Sequence, residues 1–136
     1  MKFSRVARLT LICTAFSCSA EAATFDGTQP LICALSDVQM CAPTMPCQLM
    51  PVESVDAPHF LSISVTGKTI TGTRPSGAEV NAKIELVHHS EGTMFLQGAQ
   101  EAFSWNLAID EAAGNLTLIM ADGSDGAVSF GACTTK

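Results

Sequence analysis

The cysteines of this chain constrain its fold more than any other feature. Residues 1–22 have the three parts of a secretory signal peptide: basic residues, a short apolar run, and an A-x-A cleavage site at Ala20-Glu21-Ala22. Cleavage after Ala22 removes Cys13 and Cys18. Four cysteines then remain in an oxidising space, where thiols pair: Cys33, Cys41, Cys47 and Cys133. We therefore predict a periplasmic or secreted mature chain, residues 23–136, that is stabilised by two disulfides.

The sequence disfavours attachment to a membrane. The apolar run of the signal is shorter than the roughly 20 residues that span a bilayer, and no second run of that length follows. Lipid attachment to Cys18 is the alternative, but the residues before a modified cysteine are small, and Phe16 breaks that pattern. We expect an unmodified protein with no stable membrane insertion.

The charge of the predicted mature chain restricts its partners. Four basic residues face twelve acidic ones after removal of the signal, so the formal charge is −8. The basic residues are scattered along the chain: Lys68, Arg74, Lys83 and Lys136. Binding to nucleic acid or to anionic lipid requires a basic patch. We expect no nucleic-acid partner, and the 114 residues suffice for a single β domain.

Apolar residues alternate with polar ones over much of the chain, which is typical of antiparallel strands with one buried face. The clearest strand is Ala102 to Asp110, and Val80 to His89 repeats the pattern. With an N-terminal strand at Leu31 to Met40 and hairpin turns between, we predict about eight strands. The fold class is all-β: an antiparallel meander that forms a small barrel or a two-sheet sandwich. Pro51 to Asp56 is the one segment suited to a helical turn.

The interior of such a fold is predicted to be filled by large side chains. Trp105 alternates with Phe103, Leu107 and Ile109, so we expect it in the core and not at a ligand cavity. The expected inward residues of the other strands are Ile63, Val65, Ile84, Leu86, Leu96, Leu118, Val128 and Phe130. An eight-stranded barrel is just wide enough for side chains to fill it.

Four cysteines allow three pairings, and the spacing ranks them. If the first strand is extended, Cys33 and Cys41 lie roughly 26 Å apart, far beyond the reach of a disulfide. Cys41 and Cys47 bracket a loop with two prolines that reverses the chain. We predict the pairs Cys41 with Cys47 and Cys33 with Cys133.

Candidate chemistry is sparse. Met40, Met45 and Met50 surround two of the cysteines near His59, which raises the alternative of a Cu(I) site. Oxidised thiols and irregular spacing favour packing instead. His88 and His89 point to opposite faces of a strand and cannot share one ion. No motif of a catalytic or phosphate-binding site is present, so we predict no enzyme, no catalytic residue, no metal site and no cofactor.

Several segments together carry a resemblance to known proteins. They are Ile32 to Leu35, the loop from Cys41 to Cys47, Pro58-His59-Phe60-Leu61, Leu96-Gln97-Gly98, Trp105 with Ile109-Asp110, and the closing Phe130-Gly131-Ala132-Cys133-Thr134. The combination resembles an uncharacterised family of small exported proteins of Gram-negative bacteria with a C-terminal F-G-A-C-T strand. That resemblance implies location and a shared fold, and it transfers no catalytic residue.

The architecture also resembles small periplasmic barrel inhibitors of lysozymes or proteases. The lysozyme inhibitors use Tyr-containing motifs, and this chain has no Tyr. We predict an exported binding or accessory protein, inhibitor-like, whose acidic surface meets an envelope or extracellular protein. The alternative is a small-molecule or metal-binding β-barrel. The sequence leaves the oligomeric state open.

Overall fold

The computed structural model describes residues 24–136, which form one antiparallel sheet of ten strands. The predicted signal peptide, residues 1–22, lies outside the described residues. The strands are β1 (Leu31–Ala42), β2 (Met45–Met50), β3 (Phe60–Ser64), β4 (Thr69–Thr73), β5 (Glu79–Lys83), β6 (Leu86–Ser90), β7 (Thr93–Gln100), β8 (Phe103–Asp110), β9 (Asn115–Ala121) and β10 (Gly126–Thr135). A single 3-10 turn, Val52–Val55, links β2 to β3.

Most of the elements lie where the sequence predicts them. β1 and β8 occupy the predicted strands, the 3-10 turn lies within Pro51 to Asp56, and β3 and β4 form the expected hairpin. Two differences raise the count from eight strands to ten. The proline loop between Cys41 and Cys47 continues into β2, which pairs with the second half of β1. The predicted strand from Val80 to His89 is divided into β5 and β6.

The sheet places the first strand beside the last. Its strands lie in the order β5, β4, β3, β1, β10, β9, β8, β7, β6, with β2 beside β1 off this path. The first and last strands are therefore neighbours, and Cys33 lies directly opposite Cys133 in their register. Both predicted disulfides are present: Cys33 with Cys133, Cα atoms 3.9 Å apart, and Cys41 with Cys47, Cα atoms 4.2 Å apart.

The predicted barrel is not closed, and this corrects one of the two predicted architectures. β5 and β6 lie at opposite ends of the strand order, and only residues 84 and 85 separate them. They do not pair with each other, because β5 pairs with β4 and β6 pairs with β7. The Ile84 N–H donates to the Lys68 carbonyl and the Glu85 N–H to the Gln97 carbonyl, each at 2.9 Å or less. The sheet curls until its ends meet, but it stays open.

The inward residues predicted for β10 and β6 are also corrected, because each strand turns its other face toward the core. Cys133 must face inward to reach Cys33, so Ser129 on the same face is buried while Phe130 is 55% exposed and Val128 faces outward. The break at residues 84 and 85 shifts the alternation by one, so Leu86 is exposed and Val87 packs against the core instead.

One end of the curled sheet is packed solid. Its fully buried side chains are Leu31, Cys33, Ile63, Ile84, Met94, Leu96 and Ile109. Phe25, also buried, covers this end and donates its backbone N–H to the Glu111 carbonyl. We call this the closed end. None of the helical segments within residues 24–136 has the length and apolar character needed to cross a membrane.

Candidate functional site

A cavity of about 250 Å³ occupies the opposite end of the sheet. Two rows of inward-facing residues form its main wall, because each row runs across neighbouring strands in register. The first row, nearest the mouth, is Met40, Ala127, Met120 and Trp105; the second is Val38, Ser129, Leu118 and Leu107. The facing wall comes from Leu61, Ile70, Val80 and Ala82, and from the loop after the 3-10 turn, Val55–Pro58. The lining is predominantly apolar.

Small side chains at inward positions explain why this end is hollow. β10 presents Ala127 and Ser129 to the interior, and β5 presents Ala82. The bulkier β10 residues, Val128 and Phe130, point the other way. The expectation of a filled interior is therefore wrong at this end, and right at the closed end. The hollow end exists because β10 turns its small side chains toward the interior and its large ones outward.

Trp105 is buried as predicted, with 7% of its surface exposed, but it lines the cavity. Its indole lies over Gly98, its partner across β7 and β8, where an added Cβ would come within 2.5 Å of the ring. Among residues 24–136, no group accepts a hydrogen bond from the indole Nε1. A buried donor without a partner costs about 1–3 kcal/mol. Protein atoms cover this nitrogen, so a ligand acceptor reaches it only when the ring turns.

Three loops form the mouth of the cavity. The first follows the 3-10 turn, and it is joined to the β4–β5 hairpin by Asp56, whose carboxylate accepts hydrogen bonds from the Ser76 N–H at 2.9 Å and the Ser76 hydroxyl at 2.8 Å. These two bonds, with a smaller contribution from the Arg74 charge, hold the pKa of Asp56 below its ordinary value. The β7–β8 turn contributes Gln100 and Glu101, and the β9–β10 turn contributes Asp125.

The mouth carries an excess of negative charge. Asp56 is held by Ser76 and faces Arg74, so its charge is locally offset. The Glu101 and Asp125 carboxylates form no ion pair with any basic side chain in the described part of the chain. The polar lining of the cavity is therefore concentrated at its opening, and it is acidic.

The methionines named in the sequence lie together at the edge of this cavity. Met40, Met45 and Met50 line a groove over the β1–β2 hairpin, next to the Cys41–Cys47 disulfide. The disulfide removes both thiol ligands. His59 does not line the groove and pairs with Glu53 at 3.0 Å. Within residues 24–136, no three His, Cys, Asp or Glu side chains are grouped to hold a metal ion.

The adjacent histidines diverge as expected. The His88 ring stacks on Phe95, centroids 6.4 Å apart, while His89 Nδ1 lies 2.5 Å from the Glu111 carboxylate. Neither lines the cavity.

No family model, curated protein or solved structure matches this chain. The resemblance to small exported proteins therefore stays a prediction, and the site is interpreted from its own chemistry.

Sequence reasoning missed the cavity, although one signal was available. Ala82 stands at an inward position of β5, and Ala127 and Ser129 stand at inward positions of β10. Three small residues on inward faces indicate missing volume. That signal requires the correct phase of β10, which the disulfide to Cys33 determines.

Proposed function

We propose that this protein is an exported, non-catalytic carrier or sensor that binds a small apolar molecule in the cavity beside Trp105. The single observation that carries the proposal is the apolar cavity of about 250 Å³, open at one end of an otherwise packed interior. Binding sites for small molecules are concave, apolar and few per protein. A dry apolar cavity of about 150 Å³ accepts benzene, so this one suits a ligand of about ten non-hydrogen atoms.

The proposed location rests on the disulfides and the signal. Two disulfides indicate an oxidising compartment outside the cytoplasm. The signal-like residues 1–22 support the finer assignment to the periplasm or the extracellular medium.

A chain-length series of uncharged alcohols tests the proposal. Trp105 is the one tryptophan of the chain, so its fluorescence reports on the cavity wall without interference. Octanol, with nine non-hydrogen atoms, should bind about two hundredfold more tightly than butanol, because each of the four added methylenes contributes about 0.8 kcal/mol of burial. Dodecanol should gain nothing further, since its chain exceeds the cavity. Affinity that keeps rising with chain length would indicate adsorption to an open surface and contradict the proposal.

A matched pair of variants locates the binding. Ala127 lines the cavity and Ala132 lies on the same strand with its side chain exposed. Ala127→Leu should weaken octanol binding by about tenfold or more, because the added side chain occupies the ligand volume. Ala132→Leu should bind like the unchanged protein. Equal affinities in the two variants would exclude the cavity as the site.

A second candidate function, binding to an envelope or extracellular protein, is favoured by the outer face of the sheet. Phe60, Ile119 and Phe130 are 62%, 48% and 55% exposed there. The outward residues around them are chiefly Ser, Thr, Ala and Asn, and cores of protein interfaces are likewise poor in charge. The acidic chain favours a basic partner.

Site-specific photo-crosslinking in the exporting cell tests this second candidate. A photoreactive residue in place of Phe130 should give a protein adduct, and one in place of Glu91, in the exposed β6–β7 turn, should not. Adducts at neither position, or equally at both, would contradict a specific docking face.

A further inference from the structure

The chemistry of the mouth narrows the class of ligand. Resting on the proposed function, we infer that the bound molecule is an amphipathic amine, with an apolar body inside the cavity and a protonated amino group at the Glu101 and Asp125 carboxylates. The expected ligand is thus a cationic amphipathic molecule whose charged end lies at the mouth of the cavity.

The separation of polar and apolar lining sets the orientation. The interior walls come from Val38, Leu107, Leu118 and Ala82, none of which can hydrogen-bond through its side chain. Ser129, the polar residue among them, already donates its hydroxyl to the Asp37 carbonyl. A charged group placed deep in the cavity would lose its hydration without gaining a partner. The charged end of a ligand therefore stays at the opening.

The sign of the charge follows from the loops at the opening. Asp56 accepts two hydrogen bonds from Ser76 and lies near the Arg74 charge, so it contributes little attraction to a ligand. Glu101 and Asp125 carry two further negative charges on the β7–β8 and β9–β10 turns, with no basic side chain of the described chain paired to either. A carboxylate ligand is repelled at this opening. A primary amine, protonated at neutral pH as a lysine is, gains a partner.

Three octyl compounds separate this inference from the proposed function. Octylamine, octanol and octanoate share one apolar body and differ in the charge of the end group. At low ionic strength octylamine should bind about fivefold more tightly than octanol, and octanoate more weakly than both, as expected for partly exposed charge pairs. High ionic strength should bring the three affinities together. Calorimetry on the mature, oxidised protein measures the affinity of each of the three compounds.

Substitutions at the mouth assign the preference to named residues. The double variant Glu101→Gln with Asp125→Asn should reduce the ratio of octylamine to octanol affinity to about one, because both exposed pairs are lost. Arg74→Gln should raise the ratio, because it removes the opposing charge. Glu91→Gln removes a negative charge from the opposite end of the sheet and should leave the ratio unchanged.

The outcomes are distinguishable. Octylamine binding no more tightly than octanol, or octanoate binding best, would overturn the inference about the amine and leave the apolar site intact. A preference that survives in the double variant would overturn the assignment to Glu101 and Asp125. Failure of all three compounds to bind would overturn the proposed function, and the inference with it.

Discussion

At the scale of single residues, small side chains create the cavity and make room for Trp105. Ala127 and Ser129 face the interior of β10 where large residues would fill it, and Gly98 leaves room for the indole of Trp105. Trp105 is buried, as its apolar neighbours predict, but it lines a cavity and does not belong to a filled core. The hollow beside it was missed, because alternation shows which residues share a face but not which face is buried.

Ala127→Leu tests the hollow interior through stability, independently of any ligand. If the space beside Ala127 is empty, the larger side chain fills it and raises the free energy of unfolding by about 0.5–2 kcal/mol. In a filled core the same change would destabilise by about 1–3 kcal/mol through overpacking. Urea unfolding followed by circular dichroism shows whether the substitution raises or lowers the free energy of unfolding.

The matched control is Ala132→Leu, on the exposed face of the same strand. It should change stability by no more than about 0.5 kcal/mol, as surface substitutions do. A destabilised Ala127→Leu beside a neutral Ala132→Leu would show that the cavity is already occupied by protein.

At the scale of elements, the first and last strands hold the sheet together. The sequence predicts both disulfides because an extended first strand separates Cys33 from Cys41, and the structure bears this out. It does not predict that the segment from Val80 to His89 divides into β5 and β6. The alternation of Val80 to His89 passes through residues 84 and 85 with no Gly or Pro to mark the break. That break is caused by tertiary pairing, because the first half of the segment pairs with β4 and the second half pairs with β7.

The two disulfides should differ in their contribution to stability. Cys33 and Cys133 are 100 residues apart, and Cys41 and Cys47 are 6 apart. Chain-entropy arguments give about 4.7 kcal/mol for the long loop and about 2 kcal/mol for the short one. Replacing each pair by alanines and measuring urea unfolding should therefore cost more for the Cys33 and Cys133 pair.

Each disulfide variant serves as the control for the other, since both lose two thiols. A larger loss from the Cys41 and Cys47 pair would show that the β1–β2 hairpin, and not the junction of β1 with β10, is the main constraint on the fold.

At the scale of the whole molecule, the curled sheet is solid at one end and hollow at the other. Phe25 and the fully buried side chains close one end, while the loops that carry Asp56, Glu101 and Asp125 surround the other. An all-β fold with two disulfides was predictable from periodicity and cysteine spacing. The site was not, because its residues come from eight strands and the loops between them, whose register only the folded chain fixes.

The methionines provide the most direct test of this account, because they sample both ends of the molecule. Met40 and Met120 line the cavity, Met94 is fully buried at the closed end, and Met45 is 60% exposed on the β1–β2 hairpin. With methyl-labelled methionine, NMR spectra recorded during an octanol titration should show saturable shifts of the Met40 and Met120 methyl groups while Met94 and Met45 stay in place. Shifts confined to Met45, or equal shifts at Met94, would contradict a ligand site at the hollow end.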